Sequence, residues 1–386
     1  MKNFEYFNPV RILFGRGSIA KLSAYLPDNE PVLFTYGGGS IKENGVYDQV
    51  VEALEGRVFY EFGGIRPNPV YEQLMPALDI IRDKKIGFIL AVGGGSVIDG
   101  SKFLAAAARF ENGDPWDILG KQAEVRDAIP MGTVLTLPAT GTEMNANSVV
   151  TRKSVNHKLS FASPHVMPRF SVLDPEVTYS LPMNQLANGV IDAFVHVLEQ
   201  YLTYPSKAEV QDRFAESLLL ILKDTGSRVY AGEVPDYDDR ANFMWAATNA
   251  LNGALSMGVT TDWSTHAIGH ELTALYGIDH AVSLAIVLPG VLNHLAEKRK
   301  EKLLQYGERI WGITSFNHQA AIQETINLTE QFFRCLGVNT RLSEYGMGEE
   351  VIGKVVAQLK SHNANVLGRA RDVTIEDVPA ILGSRI

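Results

Sequence analysis

Hydrophobic and polar positions fall into two patterns along this chain. In the first half, short apolar runs at residues 31–36, 57–62, 86–92 and 131–138 read as strands. Between them, apolar residues recur at helical spacing over 45–54, 70–84 and 97–108. Strands alternating with helices predict a parallel sheet wrapped by helices, an α/β domain. After Leu173-Asp174-Pro175 the pattern changes. From residue 183 the chain shows long amphipathic or wholly apolar helical periods and no strand run. The expected organisation is therefore an α/β domain over residues 1–180 followed by an all-helical domain over 181–386. No repeat, low-complexity tract or flexible linker separates the halves, so a cleft between packed domains is expected.

Two features test this pattern. The uncharged stretch 243–261 approaches the length of a membrane span, but Thr248, Asn249, Asn252 and Gly253 break its apolarity. A buried core helix is expected. The stretch from Gly15 to Ala20 formally matches G-x-G-x-x-A, yet the strand before it spans only residues 11–14. Ser18 reads instead as the cap of a helix running toward Leu26.

Composition narrows the function. With 46% hydrophobic residues over 386 positions, burial in two or three globular domains is ample. A net charge of −9 without a basic stripe disfavours nucleic acid and leaves a small-molecule partner. Cys335 is the only cysteine, which excludes an internal disulfide and a dithiol redox motif and fits a reducing cytoplasm. Glu5 and Asn8 interrupt the N-terminal segment where a signal peptide needs an apolar core. A cytoplasmic protein with no membrane partner is expected.

The chemistry concentrates in two histidine clusters. Asp192 and His196 lie four apart in NGVIDAFVHVLEQYL, so a helix presents both on one face. Downstream, His266 and His270 lie one turn apart in a second helical segment, which Gly277 should end before His280 opens an apolar run. Together these residues can build a site of carboxylate and imidazole ligands suited to Fe²⁺ or Zn²⁺. Taken singly, such pairs also occur as helix-surface pairs or hydrogen-bonded core histidines.

Two GGGS tetrapeptides mark a second chemistry. They follow predicted strands at 37–40 and 93–96, where consecutive glycines let backbone N–H groups approach a phosphate. Such turns also serve simple tightness. The first one carries a cofactor-choice argument, because an NAD enzyme usually places an acid there for the ribose 2′-hydroxyl. Gly38, Gly39 and Ser40 offer backbone donors and a hydroxyl instead, which suit the 2′-phosphate of NADP, with Lys42 close in sequence.

The segments GGGSVIDGSK, TLPATGTEMN, NGVIDAFVH and THAIGHELTALYGIDHAVSLAIVLP resemble those of the iron-containing alcohol dehydrogenase family. The first GGGS and the ANFMWAATNALNG segment resemble its butanol dehydrogenase-like branch of NADPH-dependent aldehyde reductases. The resemblance runs over essentially the whole chain. It implies an N-terminal dinucleotide-binding domain, an all-helical metal-binding domain and catalysis in the cleft between them. It also implies four metal ligands, Asp192, His196, His266 and His280, with His270 lining the active site. Gly94, Gly95 and Ser96 would hold the pyrophosphate, and Asp99, like His270 a candidate catalytic residue, would stand near the nicotinamide. Thr140, Thr142 and Asn147 would contact the nicotinamide side, and Asn68 and Lys158 match further cofactor positions. The proline-containing TLPATGTE departs by spacing from the family's commoner TTAGT form, which leaves individual threonine roles open. Homodimers are common among such proteins.

The implied activity is hydride transfer between NADP(H) and a small aldehyde or alcohol, chiefly aldehyde reduction. No G-x-S-x-G elbow of a serine hydrolase is present. A lyase resembling 3-dehydroquinate synthase would need Lys and Arg near the metal, and residues 189–202 and 245–294 contain neither. A non-catalytic metal-stabilised protein would not need two phosphate loops. Phe194, Trp263 and Leu272 are available to shape a substrate cleft.

Overall fold

In the computed structural model, which describes residues 1–111, 113–232, 234–361 and 364–386, the chain divides into two compact units. One comprises residues 7–181 and 234–248; the other comprises 1–6, 182–233 and 249–386.

The first unit is α/β. Its elements run β1 (Arg11–Phe14), β2 (Val32–Tyr36), α1 (Val46–Ala53), β3 (Phe59–Phe62), α2 (Tyr71–Asp83), β4 (Phe88–Gly94), α3 (Gly95–Ala107), α4 (Asp117–Gly120), β5 (Met131–Leu137), β6 (Asn147–Arg152), β7 (His157–Ala162) and β8 (Phe170–Leu173). Six strands form a parallel sheet in the order β1-β8-β5-β4-β2-β3, while β6 and β7 pair as an antiparallel hairpin. The central strands are apolar without alternation because both faces are covered; Val32, Leu33, Phe34, Ile89, Leu90 and Val92 are all fully buried. Tyr36 pairs with Val92 and Gly94 with Leu137, so the turns after β2, β4 and β5 lie side by side at the carboxyl edge of the sheet. In open α/β sheets that edge is where ligands bind.

Sequence pattern and structure differ at a few places. Ser18 is not a cap: Gly17, in the left-handed region at φ 68°, precedes a 3-10 helix at Ser18–Ala24, and Ser18 is buried inside it. The uncharged stretch is helical only to residue 250. Beyond the hairpin and β8, which the apolar pattern does not reveal, two short strands, β9 (Val366–Leu367) and β10 (Val373–Thr374), interrupt the helical half.

The rest of the chain is helical: α5 (Met183–Tyr201), α6 (Glu209–Ala231), α7 (Tyr237–Ala250), α8 (Ser264–Tyr276), α9 (His280–His294), α10 (Lys300–Trp311), α11 (His318–Cys335), α12 (Glu350–Ser361) and α13 (Val378–Gly383). Residues 234–248, most of α7, belong to the α/β unit. Helix α5 is the axis of the second unit, buried almost all round from Leu186 to its end. Phe194 packs its ring 5.0 Å from Phe332 and 6.1 Å from Phe333. Leu272 is likewise fully buried, so both side chains belong to the core rather than to a substrate cleft. Among the described residues no helix is long and apolar enough to cross a membrane.

Candidate active site

In the helical unit, three elements bring the predicted ligands together. Helical spacing on α5 stacks Asp192, His196 and Glu199 along one face. His266 and His270 come from α8, which Gly277 ends in the left-handed region at φ 69°. His280 is the first residue of α9. Close contact of α8 with α9 depends on Gly269, where a Cβ would stand 2.9 Å from Ser283 Oγ. Asn188 Nδ2 donates to Asp279 Oδ2 at 3.1 Å, joining α5 to the residue that caps α9.

The geometry fits one metal ion. Asp192 Oδ1 is buried without a hydrogen-bond partner and stands 3.7 Å from Nε2 of both His196 and His280. That separation is too long for hydrogen bonding. Two ligands bonded tetrahedrally at about 2.0–2.2 Å to one ion lie about 3.3–3.6 Å apart, close to what is observed. Donor atoms of Asp192, His196 and His266 lie within 4.8 Å of one another. The His266 ring stacks on His196 at 4.7 Å and meets His280 edge-on at 5.2 Å. His270 stands beside this group, its ring 5.1 Å from His280 and 6.1 Å from His266. Trp263 is half-buried and edges onto His266 at 5.3 Å; its φ of 83° is an uncommon strain for a bulky residue.

In the α/β unit, the predicted cofactor residues surround the carboxyl edge of the sheet. Gly94 caps α3 without a side chain, leaving the positive end of the helix open to an anion. A Cβ on Gly95 would lie 2.5 Å from Thr140 Oγ1, so this glycine is required for the turn to meet the 140–147 loop. Gly38 and Gly39 have open space above them, and Ser40 begins a 3-10 turn. Asn68 N donates to Ser96 Oγ at 3.1 Å, and Lys158 Nζ donates to Asn68 Oδ1 at 2.8 Å, joining three predicted cofactor residues. This open, glycine-lined edge fits a dinucleotide.

Two predicted residues face inward. The Thr142 hydroxyl donates to Asp99 Oδ1 at 2.6 Å, and Asp99 Oδ2 accepts from Val149 N at 3.0 Å. Both Asp99 oxygens are thus engaged by protein donors. Burial pushes the Asp99 carboxyl up, with Lys102 opposing the shift. Lys42 is held over the rings of Tyr47 and Tyr36, 4.7 and 5.0 Å from their centroids, and 3.9 Å from Glu61 on β3. Glu61 also accepts from Tyr36 Oη and Tyr47 Oη at 3.0 and 2.7 Å.

Comparison with known proteins decides what this arrangement belongs to. Residues 9–175 match Iron-containing alcohol dehydrogenase, and residues 186–386 match Fe-containing alcohol dehydrogenase family, C-terminal. The chain belongs to the iron-containing alcohol dehydrogenase family. It is 53% identical over 380 residues to the NADPH-dependent aldehyde reductase YqhD of Escherichia coli, covering 97% of each chain. A crystal structure of E. coli YqhD superposes with a TM-score of 0.98 at 51% identity, over 100% of this chain and 99% of that one. A probable NADH-dependent butanol dehydrogenase of Bacillus subtilis is 38% identical over 99% of each chain.

Within this family fold, spacing arguments confined to histidine and aspartate overlook Glu199. Its Oε2 meets His266 Nδ1, and its Oε1 accepts from Thr265 N at 2.7 Å. The pairing directs Nε2 of His266 toward Asp192 and His196, the carboxylate–histidine arrangement common behind metal ligands. Burial pushes the Glu199 carboxyl up to about 7, opposed by the Thr265 N–H. The signal lay in its position, one turn beyond His196 on the face that also carries Asp192. Lys102, also overlooked, is fully buried, three residues from Asp99 on α3.

Proposed function

We propose that the protein is a metal-dependent oxidoreductase that moves hydride between NADP(H) and small aldehydes or primary alcohols, working mainly as an NADPH-dependent aldehyde reductase. The observation that carries this reading is the buried Asp192 oxygen shared at 3.7 Å between two imidazoles, in a chain that matches the family along both halves. Asp192, His196, His266 and His280 would hold the ion, Fe²⁺ or Zn²⁺, and one carboxylate with three neutral imidazoles leaves the site a net charge of about +1. When bound, the ion supplies Lewis acidity toward a carbonyl oxygen and the nicotinamide supplies the hydride.

The protein's own groups do the rest. Glu199 keeps His266 in the tautomer with Nε2 available. His270, half-buried beside His280, would hold a proton on its imidazole and release it to the product oxygen, directly or through water. Gly94, Gly95 and Ser96 would bind the pyrophosphate at the start of α3, with Asn68 and Lys158 fixing Ser96. Thr140 and Asn147 would face the nicotinamide, while Thr142 and Asp99 hold their loop from inside. Gly38, Gly39 and Ser40 would receive the 2′-phosphate, since Glu61, the acid on the adjoining strand, is already engaged by two tyrosines. We further assign the protein to the cytoplasm as a homodimer.

NADPH oxidation followed with a panel of aldehydes tests this, using chelated protein and protein reloaded with Fe²⁺ or Zn²⁺. Metal-dependent turnover is expected. Equal turnover by the chelated protein, or none with any aldehyde, would sink the reading.

A further inference from the structure

Lys102 has an unusual position for a lysine. It is fully buried in the α/β unit, and its Nζ lies within hydrogen-bonding distance of five oxygens. These are Thr142 O at 2.6 Å, Thr142 Oγ1 at 2.8 Å, Asn145 O at 2.8 Å, Asn145 Oδ1 at 3.2 Å and Asn147 O at 2.9 Å. Three come from the backbone of one loop. An ammonium has three protons, so some of these bonds are shared, and the group acts as a central cation around which the loop folds. Burial pushes the Lys102 ammonium down to about 8, while Asp99 and Glu143 pull it back up. A buried lysine with no role beyond packing would be expensive compared with a methionine of similar reach.

The side chains around it give the cation a direction. Gly95, Asp99 and Lys102 follow the i, i+4, i+7 spacing of one face of α3, and that face meets the loop at successive points. Gly95 allows the approach of Thr140, Asp99 accepts from Thr142 Oγ1 and Val149 N, and Lys102 gathers residues 142–147. Ser148 Oγ adds a bond to Asp99 O at 2.8 Å. The GGGS assigned to the pyrophosphate runs from the end of β4 into the first turn of the same helix. One rigid element therefore sets the position of two cofactor-binding segments.

We propose that Lys102 is a positioning residue for the nicotinamide half of the cofactor, using its ammonium as an internal cation that locks the 142–147 loop to the helix carrying the pyrophosphate turn. This rests on the reading above that the loop lines the nicotinamide. It makes the register between pyrophosphate and nicotinamide a property of α3. Loosening the loop removes binding energy from the nicotinamide end and leaves the adenosine end in place.

The test compares two ligands by titration calorimetry: NADPH, and 2′-phospho-ADP-ribose, which lacks the nicotinamide ring. Lys102→Met should weaken NADPH at least tenfold and change 2′-phospho-ADP-ribose less than twofold. Thr142→Val, a milder change that removes one Lys102 acceptor and the donor to Asp99, should show the same split at smaller size. It carries the test if the methionine variant does not fold. Equal weakening of both ligands, or of neither, would overturn the proposal. Amide exchange in the parent protein separates this from failure of the functional reading. If NADPH protects residues 140–147 no more than 2′-phospho-ADP-ribose does, the loop does not line the nicotinamide. If it protects them more, and Lys102→Met still binds NADPH normally, the role of Lys102 alone has failed.

Discussion

At the scale of single residues, the metal site makes separable demands on each histidine. Removing an imidazole that ligates an ion deletes a bond, while removing a neighbour leaves the ion in place. His266→Ala and His280→Ala should therefore lose metal, measured by elemental analysis after dialysis, and lose activity with it. His270→Ala should keep a full complement and lose rate. Full occupancy in the His280 variant would remove it from the ligand set. Glu199→Gln keeps an oxygen for His266 Nδ1 but no charge, so chelator competition should show metal bound about 10–100-fold more weakly. Glu143, in the α/β unit, offers a pH test. It is almost fully buried, its Oε1 accepts from Thr248 Oγ1 at 2.6 Å, and burial raises its pKa above the ordinary glutamate value. A raised carboxyl binds its proton more tightly folded than unfolded. Its contribution to stability is thus complete below the ordinary glutamate range, about pH 4.3, and is lost as pH rises through the folded-state pKa. Glu143→Gln removes that loss, so its melting temperature should gain on the parent between pH 5 and pH 8. A constant difference across that range would refute the raised pKa.

At the scale of elements, the readable parts of the sequence were those where one periodicity ran long enough. Strands β2, β4 and β5 are apolar runs of five to seven residues bounded by turn signals, and α5 carries Asp192 and His196, the proposed ligands, at helical spacing. Strand β8 was hidden because it has four residues and is buried between β1 and β5, where pairing rather than pattern defines it. The β6–β7 hairpin mixes polar and apolar positions because its two faces meet different surroundings, and α3 covers one of them through Asp99 and Ser148. Glu199 and Lys102 escaped notice for a related reason: a charge in a mostly apolar helix has no meaning until its partner from another segment is known. Backbone geometry also decides which glycine tests cofactor choice. Gly39 has φ 109°, so any side chain there is strained, whereas Gly38 has an ordinary φ and no atom within 4 Å of an added Cβ. Gly38→Asp should repel a 2′-phosphate and lower the NADPH-over-NADH ratio of specificity constants by about tenfold or more. An unchanged ratio would move the 2′-phosphate away from the first GGGS.

At the scale of the whole molecule, the distribution of charge bears on what the enzyme reduces. Residues 189–202 and 245–294 contain no Lys or Arg, although they supply every predicted metal ligand. A site for a carboxylate or phosphate substrate ordinarily places a cation within reach of the anion. In the helical unit, the buried Arg299 is already committed to Asp262 at 2.8 Å and Asp372 at 3.1 Å. Of the side chains suggested by sequence to line a substrate cleft, Trp263 alone is partly exposed, and its indole edges onto His266. An aromatic side chain and the lack of any Lys or Arg in either metal-bearing segment favour uncharged, partly apolar aldehydes. Broad tolerance is the expected outcome. Specificity constants should be of similar order for butanal and a short aromatic aldehyde, and much lower for an aldehyde carrying a carboxylate. Replacing Trp263 with Ala should shift the preference toward bulkier aldehydes without changing metal content. A clear preference for the charged aldehyde would place a cation at the substrate that neither metal-bearing segment supplies, and would overturn the substrate assignment while leaving the metal site standing.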